Sequence, residues 1–383
     1  MSDAQPLLHW QEQGLERSVR WRSEAGLAPP RRVQLADDTL NADTAYKLAC
    51  EGTALLWRGD FHNARQLLQA LARRAERKPR KAAPVQAPAP DQAFHLHRQA
   101  QGQRARVLAM VLVELEGDYG IALRRAPDLR QACSEGWGPA DGQPCVASLR
   151  ELLGLVGAHE WRKKGVEIAA LGTAPANRIH AHYGVFSPVR GEYLDLIAKA
   201  PLPSTELAFD IGTGTGVIAA VLARRGVRRT VATDQDPRAL ACARENLQRL
   251  GLQDKVEVLQ ADLFPTGQAP LVVCNPPWLP ARPSSPIEHA VYDEDSRMLR
   301  GFLQGLAAHL APGGEGWLIL SDLAEHLGLR APGELAALIA GAGLKVLGRS
   351  DIRPRHPKAS DPGDPLAAAR TRERTSLWRL AAA

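Results

Sequence analysis

Apolar and amphipathic segments alternate at regular spacing from about residue 185 to the end of the sequence. The apolar runs LAFDI, TVATD and LVVC are predicted strands, and VIAAVLARRG, PRALACARENLQRLG and RMLRGFLQGLAAHL are predicted helices. Strands that alternate with helices favour a mostly parallel sheet covered on both faces, with ligands at the carboxyl ends of the strands. Residues 181–383 are therefore predicted to form an α/β, Rossmann-like catalytic domain.

The pattern before residue 181 is less regular, and it predicts three regions. Apolar residues recur at helical spacing between residues 35 and 78, so residues 1–78 are predicted to be a mainly helical N-terminal region. Residues 79–92 are rich in Pro and Ala and are predicted to be a linker. Residues 93–180 are predicted to be a small α+β region, in which RARVLAMVLVELEGDYGIALRRA predicts two strands joined by a turn.

The stretch FDIGTGTGVIAA predicts a ligand-binding turn after the first strand of the regular region. Asp210 ends that strand, and Gly212, Gly214 and Gly216 precede the next helix. Glycine permits positive φ angles and a close approach of the backbone to a ligand. Alone, this motif fits a dinucleotide, a nucleoside or a tight turn. It lacks the G-x-G-x-x-G spacing of dinucleotide binders, and no P-loop lysine follows it.

Two more carboxylates follow the next two strands. Asp234 lies close to the offset at which a carboxylate meets ribose hydroxyls. Its structural alternative is a helix N-cap, for which Asp236 is better placed because it directly precedes Pro237. Asp262 could accept a hydrogen bond from an adenine amine, or it could be a polar strand end. Together with the glycine loop, these positions predict a site for an adenosine rather than for a pyrophosphate.

The sequence NPPW follows the apolar run LVVC and predicts a rigid, extended turn, because proline fixes its own φ and restricts the preceding residue. The Asn275 side-chain oxygen and the Pro276 carbonyl could accept the two N–H bonds of a planar amine or amide. Pro277 stiffens the turn, and the ring of Trp278 could stack on the planar group. The alternative is a buried turn that only ends a strand.

DIGTGTG, ATDQDPRAL, ADLF and NPPW, in this order and at this spacing, resemble class I S-adenosylmethionine-dependent methyltransferases. More narrowly, they resemble the methyltransferase small domain group, which carries an N-P-P-[YFW] motif. The resemblance covers about residues 183–383, and it implies a seven-stranded sheet and S-adenosyl-L-methionine as the cofactor. It also implies that residues 180–197 cover the cofactor.

The resemblance also implies roles for the site residues. It places the methionine part of the cofactor at Asp210 and the glycine loop, the ribose at Asp234 and the adenine at Asp262. The implied cofactor-binding residues are Asp210, Gly212, Thr213, Gly214, Gly216, Asp234, Asp262 and Asn275. The implied catalytic residues are Asn275, Pro276, Pro277 and Trp278.

The predicted function is N-methylation of a planar nitrogen, and we favour an exocyclic base amine in ribosomal or transfer RNA. GVFSP is similar to the entry of ribosomal RNA guanine-amine methyltransferases, although the N-terminal half lacks the glycine loop of their second domain. A helical front region is closer to the glutamine methyltransferases of release factors and ribosomal proteins, although their P-R-P-E-T-E signature is absent. A glutamine amide in a translation protein is therefore the alternative. A non-catalytic RNA- or ribosome-binding protein is a third possibility, against which the intact NPPW motif argues.

Charge and cysteine content add weaker expectations. The 383 residues carry a net charge of +6, and basic runs occur at residues 73–81 and 353–374, which is compatible with an RNA partner. The five cysteines include no C-x-x-C pair, so neither a metal site nor a disulfide framework is expected. The cysteine content instead predicts a reducing, cytoplasmic location. No apolar run approaches the length of about 20 residues that spans a bilayer, so no membrane partner is expected.

Overall fold

The computed structural model describes residues 6–76, 88–283, 286–354 and 364–383. The chain divides into two compact units. The first unit comprises Met1–Pro88 and His95–Glu160, and the second comprises Ala89–Phe94 and Trp161–Ala383. Among the described residues, no helix combines the length and the apolar character needed to cross a membrane.

The first unit contains a six-stranded sheet. Its strands are β1 (Leu7–Glu12), β2 (Leu15–Arg22), β3 (Arg32–Ala36), β4 (Thr53–Trp57), β5 (Val111–Leu115) and β6 (Cys145–Ser148), in the order β1-β2-β6-β5-β4-β3. The helices that begin in the first 160 residues are α1 (Ala42–Cys50), α2 (Phe61–Ala75), α3 (Pro90–Leu108), α4 (Arg130–Trp137) and α5 (Leu149–Lys164).

The prediction of a mainly helical N-terminal region is wrong, because residues 6–76 contain four strands beside two helices. The sequence TALLW lies within the stretch of helical spacing between residues 35 and 78, but α1 ends before Gly52, whose φ is +78°, and TALLW forms β4. All five residues of β4 are buried, so the strand has no alternation of apolar and polar positions by which to recognise it.

The predicted separation of residues 1–78 from 93–180 is also wrong, since β5 and β6 pair within the same sheet as β1–β4. Of the two strands predicted after residue 103, only β5 forms, since α3 continues to Leu108 and residues 121–126 form no strand. The predicted linker ends before residue 92, since α3 begins at Pro90. Residues 79–87 of that linker lie outside the described residues.

The second unit contains a seven-stranded sheet and a short two-stranded ribbon. The ribbon is β7 (Val166–Glu167) and β8 (Arg178–Ile179). The sheet strands are β9 (Leu207–Ile211), β10 (Arg229–Asp234), β11 (Val256–Gln260), β12 (Ala269–Cys274), β13 (Leu310–Ser321), β14 (Leu344–Ile352) and β15 (Thr375–Ala382). The helices are α6 (Glu192–Lys199), α7 (Val217–Arg224), α8 (Pro237–Arg249), α9 (Arg297–His309), α10 (Leu323–His326), α11 (Glu334–Gly341) and α12 (Ala367–Arg372).

The strand order of this sheet is β11-β10-β9-β12-β13-β15-β14, and β15 alone runs antiparallel to its neighbours. The predicted α/β, Rossmann-like seven-stranded sheet is confirmed. The chain reverses direction across the sheet between β9 and β12, so their carboxyl ends flank the switch point at which such sheets bind ligands. Because β15 is antiparallel, its first residue lies at the same edge.

The sheet is buried on both faces, which explains why the apolar runs of its strands are continuous. Leu271 and Val273 of β12 belong to an apolar cluster with α6 and α7, whereas Val272 and Cys274 belong to a second cluster with α9 and α11. The half-buried ring of Trp278 packs against both clusters. The NPPW turn is thus anchored on both sides of the sheet.

Candidate active site

A cavity of about 520 Å³ lies at the carboxyl edge of the second unit's sheet, within the size range of small-molecule sites. Its wall combines the glycine loop, the end of β10, the NPPW turn and three further segments. The first of these segments contributes Gly184–Phe186, Arg190 and Tyr193, the second contributes His289–Tyr292, and the third contributes Arg370 and Glu373. The predicted residues on the wall are Gly212, Thr213, Gly214, Asp234, Asn275, Pro276, Pro277 and Trp278.

The three glycines of the loop have positive φ angles, and each serves a different purpose. A Cβ atom on Gly216 would lie 3.2 Å from Ala243, so this glycine allows α8 to pack closely. A Cβ atom on Gly212 would collide with Met298. Gly214, with φ +55°, has no described atom within 4 Å of the position of a Cβ, and it faces the cavity. Gly214 therefore leaves the cavity wall open for a ligand.

Asp210 forms hydrogen bonds with the glycine loop and the start of α7, and it does not line the cavity. Its Oδ2 accepts hydrogen bonds from Thr213 Oγ1 at 2.6 Å and from the Ala219 amide at 3.1 Å. Burial, together with the nearby charge of Asp234, raises the pKa of Asp210 to about 6. No described residue donates to its Oδ1. A direct contact of Asp210 with a ligand stays a prediction, as does the binding role of Gly216.

Asp234 lines the cavity and braces the loop. Its Oδ2 accepts from the Gly214 amide and its Oδ1 from the Asp236 amide, each at 3.0 Å. Burial raises the pKa of Asp234. Asp236 is the N-cap of α8, because its side chain accepts from the Arg238 amide at 2.9 Å. Asp234 does not serve as the helix cap, and it forms part of the cavity wall.

Asp262 lies beside the cavity rather than in its wall, although its neighbours Ala261 and Leu263 line it. Its side chain is 67% exposed, lies 3.7 Å from Arg297 and is hydrogen-bonded to Gln235. An adenine contact at Asp262 would require the side chain to turn inwards, and this role stays a prediction.

The NPPW turn contains a hydrogen bond that the sequence analysis did not foresee. The indole Nε1–H of Trp278 donates to Asn275 Oδ1 at 2.9 Å. An amide oxygen has two lone pairs, so Asn275 can still accept one N–H from a ligand. The next residue, Leu279, fixes the end of the turn through its backbone. Its amide donates to Val291 O at 3.2 Å, and its carbonyl accepts from the Asp293 amide at 2.9 Å.

The sequence analysis missed the residues that complete the wall beyond Trp278. Tyr292, Arg190 and Glu373 come from segments without a strong local pattern. Arg190 belongs to the segment that was expected to cover the cofactor, but it was not singled out. Glu373 lies in the charged stretch RTRERTS, where only the pairing of Thr375 with Ser321 brings it to the strand ends.

Two sets of predicted positions cannot be placed. Arg77, Lys78, Arg80 and Lys81 of the first basic run, and residues 355–363 of the second, lie outside the described residues. Within the described ranges, no group of three or more His, Cys, Asp or Glu side chains is arranged to hold a metal ion.

Residues 176–331 match the family described as "Methyltransferase small domain". The matched segment spans less than half of the chain and contains the glycine loop, Asp234 and the NPPW turn. The match confirms that this segment is similar to the family that the sequence motifs resemble. The cavity fits the cationic methyl donor that the resemblance implies, because Gly214 presents open backbone and the Asp234 carboxylate lines the same wall.

Several known proteins are similar to part of the chain. The chain is 34% identical over 145 residues to "Ribosomal protein L11 methyltransferase" from Pelotomaculum thermopropionicum, an alignment of 37% of this chain and 39% of that protein. It is 31% identical over 169 residues to "Release factor glutamine methyltransferase" from Cereibacter sphaeroides, covering 40% and 58%. It is 28% identical over 183 residues to "tRNA1(Val) (adenine(37)-N6)-methyltransferase" from Shewanella loihica, covering 45% and 72%. The alignments thus span between two fifths and about three quarters of these relatives.

Proposed function

We propose that the protein is an S-adenosyl-L-methionine-dependent N-methyltransferase that modifies a planar nitrogen, and that its acceptor is an exocyclic base amine in ribosomal or transfer RNA. One observation carries the proposal. The NPPW turn and the glycine loop with Asp234 lie in the wall of the same cavity. A donor on the loop and an acceptor on the turn would therefore meet within one space.

The turn supplies the contacts that a planar nitrogen needs. The lone pair of such a nitrogen is delocalised, so the N–H bonds must be held while the lone pair faces the methyl carbon. Asn275 Oδ1 accepts one N–H and the Pro276 carbonyl accepts the other, with the Trp278 ring on the face of the group. The Trp278–Asn275 hydrogen bond orients the amide before the acceptor arrives, which reduces the cost of positioning.

The transfer balances without a strong base in the protein. The donor supplies a methyl group on a cationic sulfur. The nitrogen lone pair forms the new N–C bond, the electrons of the methyl–sulfur bond stay on sulfur, and the nitrogen releases a proton to solvent. The contribution of this chain is position and electrostatics, from Asn275 and the turn on one side and from Asp234 on the other.

The composition of the wall beyond the turn supports an RNA acceptor. Trp278, Tyr292 and Phe186 provide aromatic surface on which a base can stack. Arg190 adds positive charge at the same side, which suits a phosphate backbone, whereas Arg370 is paired with Asp364 at 2.6 Å. One of the reported relatives is named for an adenine amine in transfer RNA. The cysteines form no disulfide, so we place this activity in the cytoplasm.

A glutamine amide in a translation protein is the second candidate. It is planar, it carries the same two N–H bonds, and it would engage Asn275 and Pro276 in the same way. Another relative is named for release factor glutamine methylation, which is the observation that favours this alternative.

Transfer of labelled methyl groups separates these candidates. Purified protein and labelled S-adenosyl-L-methionine are added to a lysate from cells that lack the protein, and RNA and protein are then separated. We expect the label in RNA, with reduced incorporation when Arg77, Lys78, Arg80 and Lys81 are neutralised together, and a steep loss of incorporation with salt. Label only in a protein band, unaffected by this quadruple change, would assign the activity to a glutamine. A protein that binds no donor would be a non-catalytic relative.

A further inference from the structure

Two segments line the donor side of the cavity without belonging to a helix or a strand. One is the glycine loop between β9 and α7, and the other comprises residues 180–186, the cover segment. Gly184, Val185 and Phe186 of the cover segment lie in the cavity wall together with Gly212–Thr215 of the loop. Neither segment has the hydrogen-bond ladder of a regular element, so the spacing between them depends on contacts with the rest of the second unit.

One buried side chain bridges the two segments. Asn246 of α8 is 1% exposed and does not line the cavity. Its Oδ1 accepts a hydrogen bond from the His180 amide at 2.7 Å, and its Nδ2 donates to His180 O at 3.2 Å. The same Nδ2 donates to Thr215 O at 3.1 Å. A single side-chain amide, with two N–H donors and one acceptor oxygen, thus pairs with backbone atoms of both the cover segment and the glycine loop.

The face of α8 around Asn246 holds the rest of the cover segment. Cys242, Glu245 and Asn246 are spaced at i, i+3 and i+4, so they lie on one face of the helix. Cys242 Sγ accepts from the His182 amide at 3.4 Å, and Cys242 packs against Val185. Glu245 Oε2 lies 2.7 Å from His182 Nε2. The helix therefore contacts the cover segment at residues 180, 182 and 185.

The other parts of the donor side are fixed to the same helix. Gly216, at the end of the glycine loop, packs so closely on Ala243 that a Cβ atom would lie 3.2 Å away. Asp234 accepts from the amide of Asp236, which is the N-cap of α8. The loop, the Asp234 carboxylate and the cover segment thus share one reference element, and Asn246 hydrogen-bonds to two of the three.

Loss of the Asn246 amide would disturb the donor side and leave the acceptor side in place. Thr215, which is 3% exposed, would lose a donor to its carbonyl, and the His180 amide would lose its acceptor. Backbone groups that lose a partner in a buried setting are costly, and movement of either segment to relieve that cost changes the width of the donor space. Asn275 and Trp278 are hydrogen-bonded to each other, so the acceptor turn keeps its own support.

We propose that Asn246 is a positioning residue for the methyl donor, and that it sets the distance between the cover segment and the glycine loop. This inference rests on the proposed function, since it requires a donor between these segments. The donor would meet Val185 and Phe186 of one segment and Gly214 of the other, and Asn246 would act through them without touching it. The expected signature is a change in donor affinity with little change in turnover at saturating donor.

Asn246→Ala in the full chain tests this signature by calorimetry and by kinetics in the lysate assay. We expect the Kd and the KM for S-adenosyl-L-methionine to rise about tenfold, and turnover at saturating donor to stay within about twofold of wild type. Asn177→Ala is the matched control, because Asn177 is also buried, lies outside the cavity wall and donates to Gly172 O at 3.1 Å. The control should lower the melting temperature without weakening the donor.

Two results would overturn the proposal and leave the proposed function intact. One is wild-type donor affinity in Asn246→Ala, and the other is an equal loss of affinity in Asn246→Ala and Asn177→Ala, which would reflect general destabilisation. A wild-type protein that binds no donor would overturn the proposed function and this inference with it.

His182→Ala tests the position of the cover segment by a milder change, which remains informative where Asn246→Ala does not fold. The variant removes the contact with Glu245 from a half-buried position. Without donor, hydrogen exchange at residues 180–186 should be faster than in wild type, whereas exchange at Trp278 and Leu279 should not change. The donor should bind about threefold more weakly, with wild-type turnover at saturating donor. Faster exchange of the cover segment without any loss of donor affinity would overturn the proposal.

Discussion

The two halves of the cavity differ in how far the chain satisfies its own polar groups. On the glycine-loop side, the wall residue Asp234 accepts backbone hydrogen bonds on both oxygens. Asp210, which is outside the cavity wall, keeps one buried oxygen without a donor among the described residues. On the acceptor side, Asn275 is oriented by a single indole, and Glu373 keeps a buried oxygen without a partner among the described residues. The chain thus satisfies the carboxylate in the first half of the wall, whereas the second half keeps acceptor atoms that the described residues do not fully satisfy.

This difference predicts separate effects on donor binding and on turnover. The largest effect is expected for Asn275→Ala, which removes the oxygen that holds the acceptor nitrogen. Turnover should fall on the order of a hundredfold or more, because misplacement of a reacting group alone has an effect of this size. Calorimetry should show donor affinity close to wild type. Wild-type turnover in this variant would reduce the NPPW turn to a structural element.

Asp234→Ala should have its main effect on the donor. Loss of a hydrogen bond to a charged group, together with loss of support for the Gly214 amide, should weaken S-adenosyl-L-methionine about ten- to hundredfold. Asp254→Ala removes an exposed carboxylate away from the cavity wall and is the control. Unchanged affinity in Asp234→Ala would remove this residue from the site.

Gly214→Ala tests whether the open space beside the loop belongs to a ligand. Gly214 and Gly251 both have positive φ, +55° and +64°, and a Cβ atom would meet no described atom within 4 Å at either. Each alanine should therefore lower the free energy of unfolding by about 1–2 kcal/mol. Only Gly214→Ala should also weaken the donor, by about tenfold, because its methyl group protrudes into the cavity. Equal donor affinity in the two variants would place the donor elsewhere.

Trp278→Phe isolates the hydrogen bond inside the turn. The variant keeps an aromatic face but loses the N–H that orients Asn275. Turnover should fall about threefold to tenfold, the size of one ordinary hydrogen bond, and Trp278→Ala should lose more because stacking is lost as well. A Trp278→Phe protein with wild-type turnover would show that Asn275 needs no such support.

The smallest effect is expected from pH. The pKa of Asp210 is raised to about 6, so this carboxyl takes up a proton as the pH falls from 7.5 to 5. Burial also raises the pKa of Asp234. A protonated carboxyl interacts less well with a cationic donor, so its affinity should fall by about threefold over this range. Affinity that rises on acidification would contradict the assignment of these carboxyls to the donor side.

The free energy of unfolding of the free protein has the opposite pH dependence. The pKa of Asp210 is higher in the fold than its usual value of 3.8, so Asp210 contributes most to stability below that value. That contribution is lost as the pH rises through about 6.

The difference between the two sides of the cavity also explains which site residues could be predicted from the sequence. The glycine loop, Asp234 and NPPW each follow a strand within a few residues, so a local pattern places them at one edge of a parallel sheet. Glu373 reaches that edge only because β15 runs antiparallel and is inserted between β13 and β14, which is a matter of strand order. The Trp278–Asn275 hydrogen bond depends on side-chain geometry that spacing does not specify.

The secondary structure of the first unit was hard to predict from the sequence for a different physical reason. Its strand β4 is buried at all five positions, so the period that distinguishes a strand from a helix is absent. Its six-stranded sheet pairs β6, beginning at Cys145, with β2, which lies more than a hundred residues earlier. Contacts of such sequence separation leave no local signal.

Titration of the full chain with S-adenosyl-L-methionine, with NADH as a competitor, tests the central claim most directly. The account predicts one donor molecule per chain, weaker binding in the Asp234→Ala and Gly214→Ala variants, and no displacement by NADH. Preferential binding of NADH, or no binding of S-adenosyl-L-methionine at all, would contradict the assignment of the cavity to a methyl donor.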